Sequence, residues 1–361
     1  MNRMIYFCLV IIAALLMIWT SCQNPTKTPN ILVEESAVDY DFPAPKFLSD
    51  YDLFEAPLHT MIPKQGVEPY ELNSSLFTDY AWKKRFIYLP EGSSMSYHDS
   101  EVMDFPEGTM IFKFFYYPHD FSSPELGYTI METRVLHLKE GAWVALPYTW
   151  NKEQTDAVLA IAGDSKSVSW INHNSENIHL TYAVPNMNQC KSCHEFNKAM
   201  MPIGPSARQL NKEFEYSGIT KNQLQHFSDI GWLTQMPPLE NCPKLPDYND
   251  ISVSLDKRAR AYLDINCAHC HRPEGPAKNS ALHLAAHVTN NVSLGIGKTP
   301  IAAGKGSGGL KYDIVPGKPE ESILYYRMKS NEPGIMMPEI GRKIEDQEGL
   351  ALISEWIKAM K

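Results

Sequence analysis

Thr109-Met110-Ile111-Phe112-Lys113-Phe114-Phe115-Tyr116-Tyr117 is a run dominated by aromatic and β-favouring residues, entered through the turn Pro106-Glu107-Gly108. Nothing in it repeats at helical spacing, so it predicts a strand. Outward from it, Trp82 to Leu89, Gly127 to Leu138, Trp143 to Trp150, Val158 to Ala162 and Ile178 to Val184 have the same texture. Pro90-Glu91-Gly92 and Glu140-Gly141 supply turns between them. Six short strands in one stretch predict an antiparallel sandwich or barrel over residues 41–185. His98, His119, His137, His173 and His179 are scattered through this stretch and are expected to be surface or packed side chains.

The texture changes at Asn186. Two helices are expected, Ser206 to Phe214 and Thr220 to Trp232, followed by a stretch rich in proline (Pro237, Pro238, Pro243, Pro246). A second helical region starts at Leu255, where Leu255, Ala259, Tyr262 and Leu263 share a face. At the far end Leu350, Ile353, Trp356, Ile357 and Met360 do the same across Asp346 to Met360. Gly304-Lys305-Gly306-Ser307-Gly308-Gly309 fits a dinucleotide-binding glycine pattern only formally. No strand precedes it and no helix follows, so it is expected to be a loop.

Two short motifs carry the chemistry: Cys190-Lys191-Ser192-Cys193-His194 and Cys267-Ala268-His269-Cys270-His271. Two thiols one helical turn apart can each add to a vinyl group of one haem, and the next histidine then lies under the porphyrin as proximal iron ligand. Cys190, Cys193 and His194, and Cys267, Cys270 and His271, are therefore the expected attachment residues for two covalent haem c groups. The rivals are a zinc site built from the four thiols and nearby histidines, or a pair of redox disulfides. The βαβ context of a thioredoxin-type pair is absent around both motifs.

Helix, motif and terminal helix in the last third follow the plan of a class I cytochrome c, as does Val315 to Leu324 followed by Met336-Met337-Pro338. In that class a methionine just before proline supplies the sixth ligand, which selects Met337. For the first haem Met236, before Pro237-Pro238, is the first choice, with Met200, Met201, His226 or an open position as alternatives. The expected fold class is α+β: an N-terminal antiparallel β domain (41–185), followed by two small α-helical cytochrome c-type haem domains (186–246 and 247–361). His283 and His287 are expected to be solvated or packed, and Cys242 to be a buried free thiol.

Arg3, an uncharged run from Met4 to Trp19, and Thr20-Ser21-Cys22 read as an export signal over residues 1–21, with Cys22 as lipid anchor in the manner of a bacterial lipoprotein. A signal-anchor helix is the alternative. Residues 22–40 read as a tether. The 361 residues carry 33 basic and 42 acidic side chains, a net charge of −9, which disfavours nucleic acid as a partner. Loss of Arg3 with the signal leaves −10.

The order of motifs over residues 45–361 resembles a family of bacterial diheme c-type cytochromes with an N-terminal β domain. The resemblance is carried by Leu48-Ser49-Asp50-Tyr51-Asp52-Leu53-Phe54, Pro69-Tyr70-Glu71-Leu72-Asn73, Leu76-Phe77-Thr78-Asp79-Tyr80 and Trp143-Val144-Ala145-Leu146-Pro147-Tyr148. Asn188-Gln189-Cys190, Pro202-Ile203-Gly204-Pro205 and Tyr262 to His271 extend it. It implies two covalently bound haems and electron transfer with redox partner proteins in the cell envelope. A diheme peroxidase or oxidase, and a β domain that docks a partner, are the competing expectations.

Overall fold

The computed structural model describes residues 44–301 and 303–361. The expected export signal, the tether and Cys22 lie outside them. Six strands form one antiparallel sheet in the order β1 (Val67–Tyr70), β2 (Trp82–Tyr88), β3 (Met110–Pro118), β4 (Tyr128–Lys139), β5 (Ala142–Trp150) and β6 (Ala157–Leu159). A separate hairpin, β7 (Asp164–Ile171) with β8 (Asn177–Val184), packs through Trp170, Leu180 and Tyr182 against Phe115 and Tyr117 of β3. Neither a closed barrel nor two equal sheets results.

Both faces of the large sheet are covered, and its central strands bury apolar side chains on both sides. On one face Phe54 meets the rings of Phe86, Phe112 and Phe114 edge-on, with centroids 5.1, 5.3 and 5.2 Å away. Edge-to-face pairs of this kind contribute about 0.5–1.5 kcal/mol each beyond their burial. On the other face the register aligns Ile87, Ile111, Leu136 and Ala145 in a row across four strands. One pleat further along, the same register aligns Arg85, Lys113 and Arg134.

The chain after β8 covers that second face. Helix α1 (Met187–His194) starts at Asn186, whose side chain accepts the Gln189 amide while the Gln189 side chain accepts the Asn186 amide. This reciprocal cap lets a helix of eight residues form directly after a strand. A single turn (Ala207–Leu210), a hairpin of β9 (Glu213–Tyr216) with β10 (Ile219–Asn222), and α2 (Gln223–Asp229) follow. Helices α3 (Leu255–Asn266), α4 (Ile323–Lys329) and α5 (Gln347–Ala359) complete the chain.

The expectation of two small α-helical haem domains is overturned. Among the described residues the structure is mostly antiparallel sheet with about six helices, and no such pair of domains is evident. The physical reason lies in the core. Cys190, Leu210, Leu224, Phe227, Leu233 and Cys242 share one apolar cluster with Ile87, Ile111 and Leu136 of the sheet, so residues 186–246 have no separate interior. Ile265 of α3 joins that cluster too, although α3 and α5 also pack on one another through Leu263, Leu350 and Ile353. Residues 44–361 form one compact unit. The expected helix from Ser206 to Phe214 is a single turn, and the one from Thr220 to Trp232 is replaced by a strand and the short α2.

Candidate functional site

The two Cys-x-x-Cys-His motifs, separated widely in sequence, meet in space. The first occupies the last turn of α1. The second follows the end of α3, where the amides of Cys267 and Ala268 both donate to the Leu263 carbonyl. Cys270 Sγ lies 4.0 Å from the Ser192 carbonyl oxygen. The Cys193 and Cys270 thiols lie close together, and their mutual interaction lowers Cys193 and raises Cys270. Burial alone pushes Cys267 up to about 12 and is the main cause that takes Cys190 to about 11.

Each motif borders its own cavity. Cys267, Cys270 and His271 line one of about 280 Å³ with Leu282, Leu284, Ile323, Leu324, Met328 and Met337. Cys190, Cys193 and His194 line another of about 120 Å³, whose opposite wall is the β sheet. Cys193, Asn266, His269, Pro338 and Ile340 line both, so the two cavities share a partition.

The two motif histidines are oriented in the same way. His194 Nδ1 donates to the Met201 carbonyl oxygen at 2.7 Å. His271 Nδ1 is 3.0 Å from Ser280 Oγ, and that hydroxyl already donates to the Ala277 carbonyl at 2.7 Å. The serine therefore accepts from His271. Both rings carry their proton on Nδ1, which leaves the Nε2 lone pair for a metal, the arrangement in which an outer partner fixes a ligand's orientation. Burial is the main cause that lowers both imidazoles to about 4, so they are neutral at physiological pH.

Met337 stands on the wall of the second cavity, whereas Met336 turns into the interior at 8% exposure. The backbone around Met337 is pinned. Its amide donates to the Arg327 carbonyl, and its carbonyl accepts from the Arg342 guanidinium at 3.0 Å. Arg342, only 4% exposed, donates also to the carbonyls of Met328 and Ser330. Asn266, just before Cys267, accepts the Phe77 amide through its side chain at 2.8 Å, and Asp79 accepts the amides of Lys343 and Ile344. The loop Leu76–Tyr80 is thus bound to both ends of the second site.

At the first site the structure does not bring the sequence candidates for a sixth ligand together. Met236 packs against the Cys242 side of the common core, and Met200 lies in a short hairpin on that core. Met201 faces a neighbouring crevice. His226 stacks on Tyr216 at 3.5 Å between centroids and contacts Glu68 at 2.9 Å. None of these four lines the cavity of Cys190 and His194. The nitrogen-bearing side chains that do line it include His269, Lys113, Arg85 and Arg134. Cys242 is buried and free, its thiol near the carbonyls of Pro237 and Pro238. His283 and His287 sit with ring centroids 5.5 Å apart.

The zinc alternative needs several convergent ligands. Among the described residues no group of three or more histidine, cysteine or carboxylate side chains converges on one point. Sequence reasoning missed Ser280, Arg342 and the cations of the sheet. Ser280 follows His271 by nine residues and Arg342 by far more, and neither falls at a spacing that the motif fixes. The cations looked like ordinary solvent-facing strand positions. No known protein family, curated protein or solved structure matches the chain.

Proposed function

We propose that the chain is an exported, lipid-anchored diheme c-type cytochrome that passes single electrons between partner proteins in the cell envelope. The observation that carries this reading is the pairing of the two Cys-x-x-Cys-His motifs across one partition, each histidine with Nδ1 engaged and Nε2 free. Haem supplies one-electron chemistry when bound. The chain's own residues do the rest. Cys190 and Cys193, and Cys267 and Cys270, would hold the two groups through thioether links, and His194 and His271 would each supply an iron ligand. Met337 would offer a soft sixth donor at the second site. Cys193 and His269 line both cavities, so the two groups would lie on either side of one shared partition.

The residues fit the group chemically. Small-molecule pockets usually begin near ~300 Å³, so the first cavity, at about 120 Å³, would have to widen to take the group. The acidic chain favours a basic redox partner. Cys22 and residues 1–21 support export and anchoring through their sequence alone.

A second reading is favoured by one observation, the lack of a methionine on the wall of the first cavity. A haem there with a displaceable sixth position would suit a peroxidase or oxidase, fed electrons across the partition. Intact mass with a pyridine haemochrome assay tests the main reading, with two covalent haems per chain expected; any other stoichiometry overturns it. Two low-spin haems inert to peroxide would remove the enzyme reading, whereas a high-spin ferric signal with peroxide turnover would replace simple electron transfer.

A further inference from the structure

The row Arg85–Lys113–Arg134 sets a problem that the sheet alone does not solve. The three residues lie directly opposite one another on β2, β3 and β4. Like charges in that relation are destabilising, and these face inward. All three line the cavity of Cys190, Cys193 and His194. No aspartate or glutamate is among the described residues that line it. Arg134 has one carboxylate, Glu132, which is fully buried and also accepts the Tyr182 hydroxyl. Arg85 is 6% exposed, and its Nη2 has no hydrogen-bond partner. Lys113 makes no ion pair among the described residues; its ammonium lies over the Phe115 ring at 4.7 Å, with the Arg134 guanidinium on the same ring at 4.3 Å. Burial is the main cause that lowers Lys83, one pleat away, to about 7 and that lowers Lys113 as well, the direction expected of buried ammonium groups with no anion beside them.

Unpaired cations in a low-dielectric interior are costly unless an anion meets them. Arg85 and Lys113 have no carboxylate partner among the described residues, and Arg134 has only Glu132. We propose that Arg85, Lys113 and Arg134 form an anion-binding wall for the two carboxylates of the haem held by Cys190 and Cys193, so that the β sheet is one side of the first haem site. This rests on the reading of Cys190–His194 as a haem attachment motif. Planar guanidinium groups suit carboxylates, and Lys113 between them adds a point charge. The role of the β region is then to complete the site and to set the charge felt by the iron.

The test is spectroelectrochemical titration of the full diheme protein and of Arg85→Gln and Lys113→Gln, with haem content read separately by mass. Loss of one cation leaves the haem carboxylates less neutralised and favours ferric iron. The reduction equilibrium of one haem should fall about tenfold, ~59 mV for one electron, while the other haem is unmoved. Unchanged potentials at both haems, with two haems retained, would overturn the proposal. If the glutamine variants do not accumulate, Arg85→Lys and Lys113→Arg should restore both haems; failure of those charge-preserving swaps also overturns it. Added inorganic phosphate should leave the wild-type potentials unchanged, and a phosphate-dependent shift would mean a different anion uses the wall. Wild-type protein without covalent haem would defeat the attachment reading itself, a result that mass shows before any potential is measured.

Discussion

At the scale of single residues, Met336 and Met337 are adjacent and chemically identical, yet the structure gives them opposite surroundings. Met337 borders the cavity of His271, with its backbone held by Arg327 and Arg342; Met336 is core. Under the diheme reading Met337→Ala should leave both haems attached but open one sixth position. The far-red charge-transfer band of methionine-ligated ferric haem should disappear, and carbon monoxide should bind to one reduced haem. Met336→Ala should keep that band and lower stability by about 2–5 kcal/mol, the range for emptying a buried methionine site. Absorption spectra and thermal melts of the two variants check this, and loss of the band in Met336→Ala alone would reverse the assignment. The place of Met337 beside His271 was legible because it precedes a proline downstream of a Cys-x-x-Cys-His motif. Ser280 and Arg342 were not, because a hydroxyl or guanidinium has no spacing rule that ties it to a histidine or a carbonyl even a few residues away.

At the scale of elements, the strands around Phe112 and Phe114 and helices α3 and α5 were legible, since their apolar residues repeat with the period of the structure they form. Residues 213–222 were not recognised, although the signal was present. Glu213-Phe214-Glu215-Tyr216 alternates, and Ser217-Gly218 supplies the two positive φ angles, 50° and 86°, of a tight hairpin turn. The cation row was hidden for a different reason. A lysine or arginine on a strand usually faces water, but here both faces are covered, so Lys113 between Phe112 and Phe114 points inward. The crossing of α3 and α5 depends on Gly349. A Cβ there would lie 2.4 Å from the Tyr262 hydroxyl and 2.5 Å from its ring, where Tyr262 donates to Asp346 at 2.9 Å. Asp346 also caps α5 by accepting the Gly349 amide. Glycine to alanine inside a helix normally stabilises by up to ~1 kcal/mol. Gly349→Ala should instead destabilise by about 1–3 kcal/mol, because overpacking and loss of that hydrogen bond outweigh propensity. Chemical denaturation with an unchanged m-value measures it, and a gain in stability would show that the helices separate without cost.

At the scale of the whole molecule, the region that sequence texture divides at Asn186 is continuous in its interior. Leu210, Leu224 and Phe227 are fully buried, and Leu233 and Ile265 nearly so, in the cluster that includes Ile87, Ile111 and Leu136 of the sheet. Arg272 donates to Glu101 at 2.6 and 2.9 Å, and Arg208 donates to the Ser100 carbonyl, so charged groups also join the two halves of the chain. Change of texture marked where strands give way to helices, but it carried no information on whether the two shared a core. Exposure of those five apolar side chains would cost on the order of 10 kcal/mol at about 1.5–3 kcal/mol each, comparable with the total stability of a typical domain. A chain lacking residues 44–185 should therefore fail to accumulate as a soluble diheme protein, even with haem-attachment machinery present. The intact protein should unfold in one transition, with Soret absorbance and near-ultraviolet circular dichroism changing at the same denaturant concentration. A soluble 186–361 fragment with two haems and wild-type spectra would show that the helical part is autonomous. It would also remove the structural basis for assigning the sheet a place in the first site, because the cations on β2, β3 and β4 would then be dispensable to it.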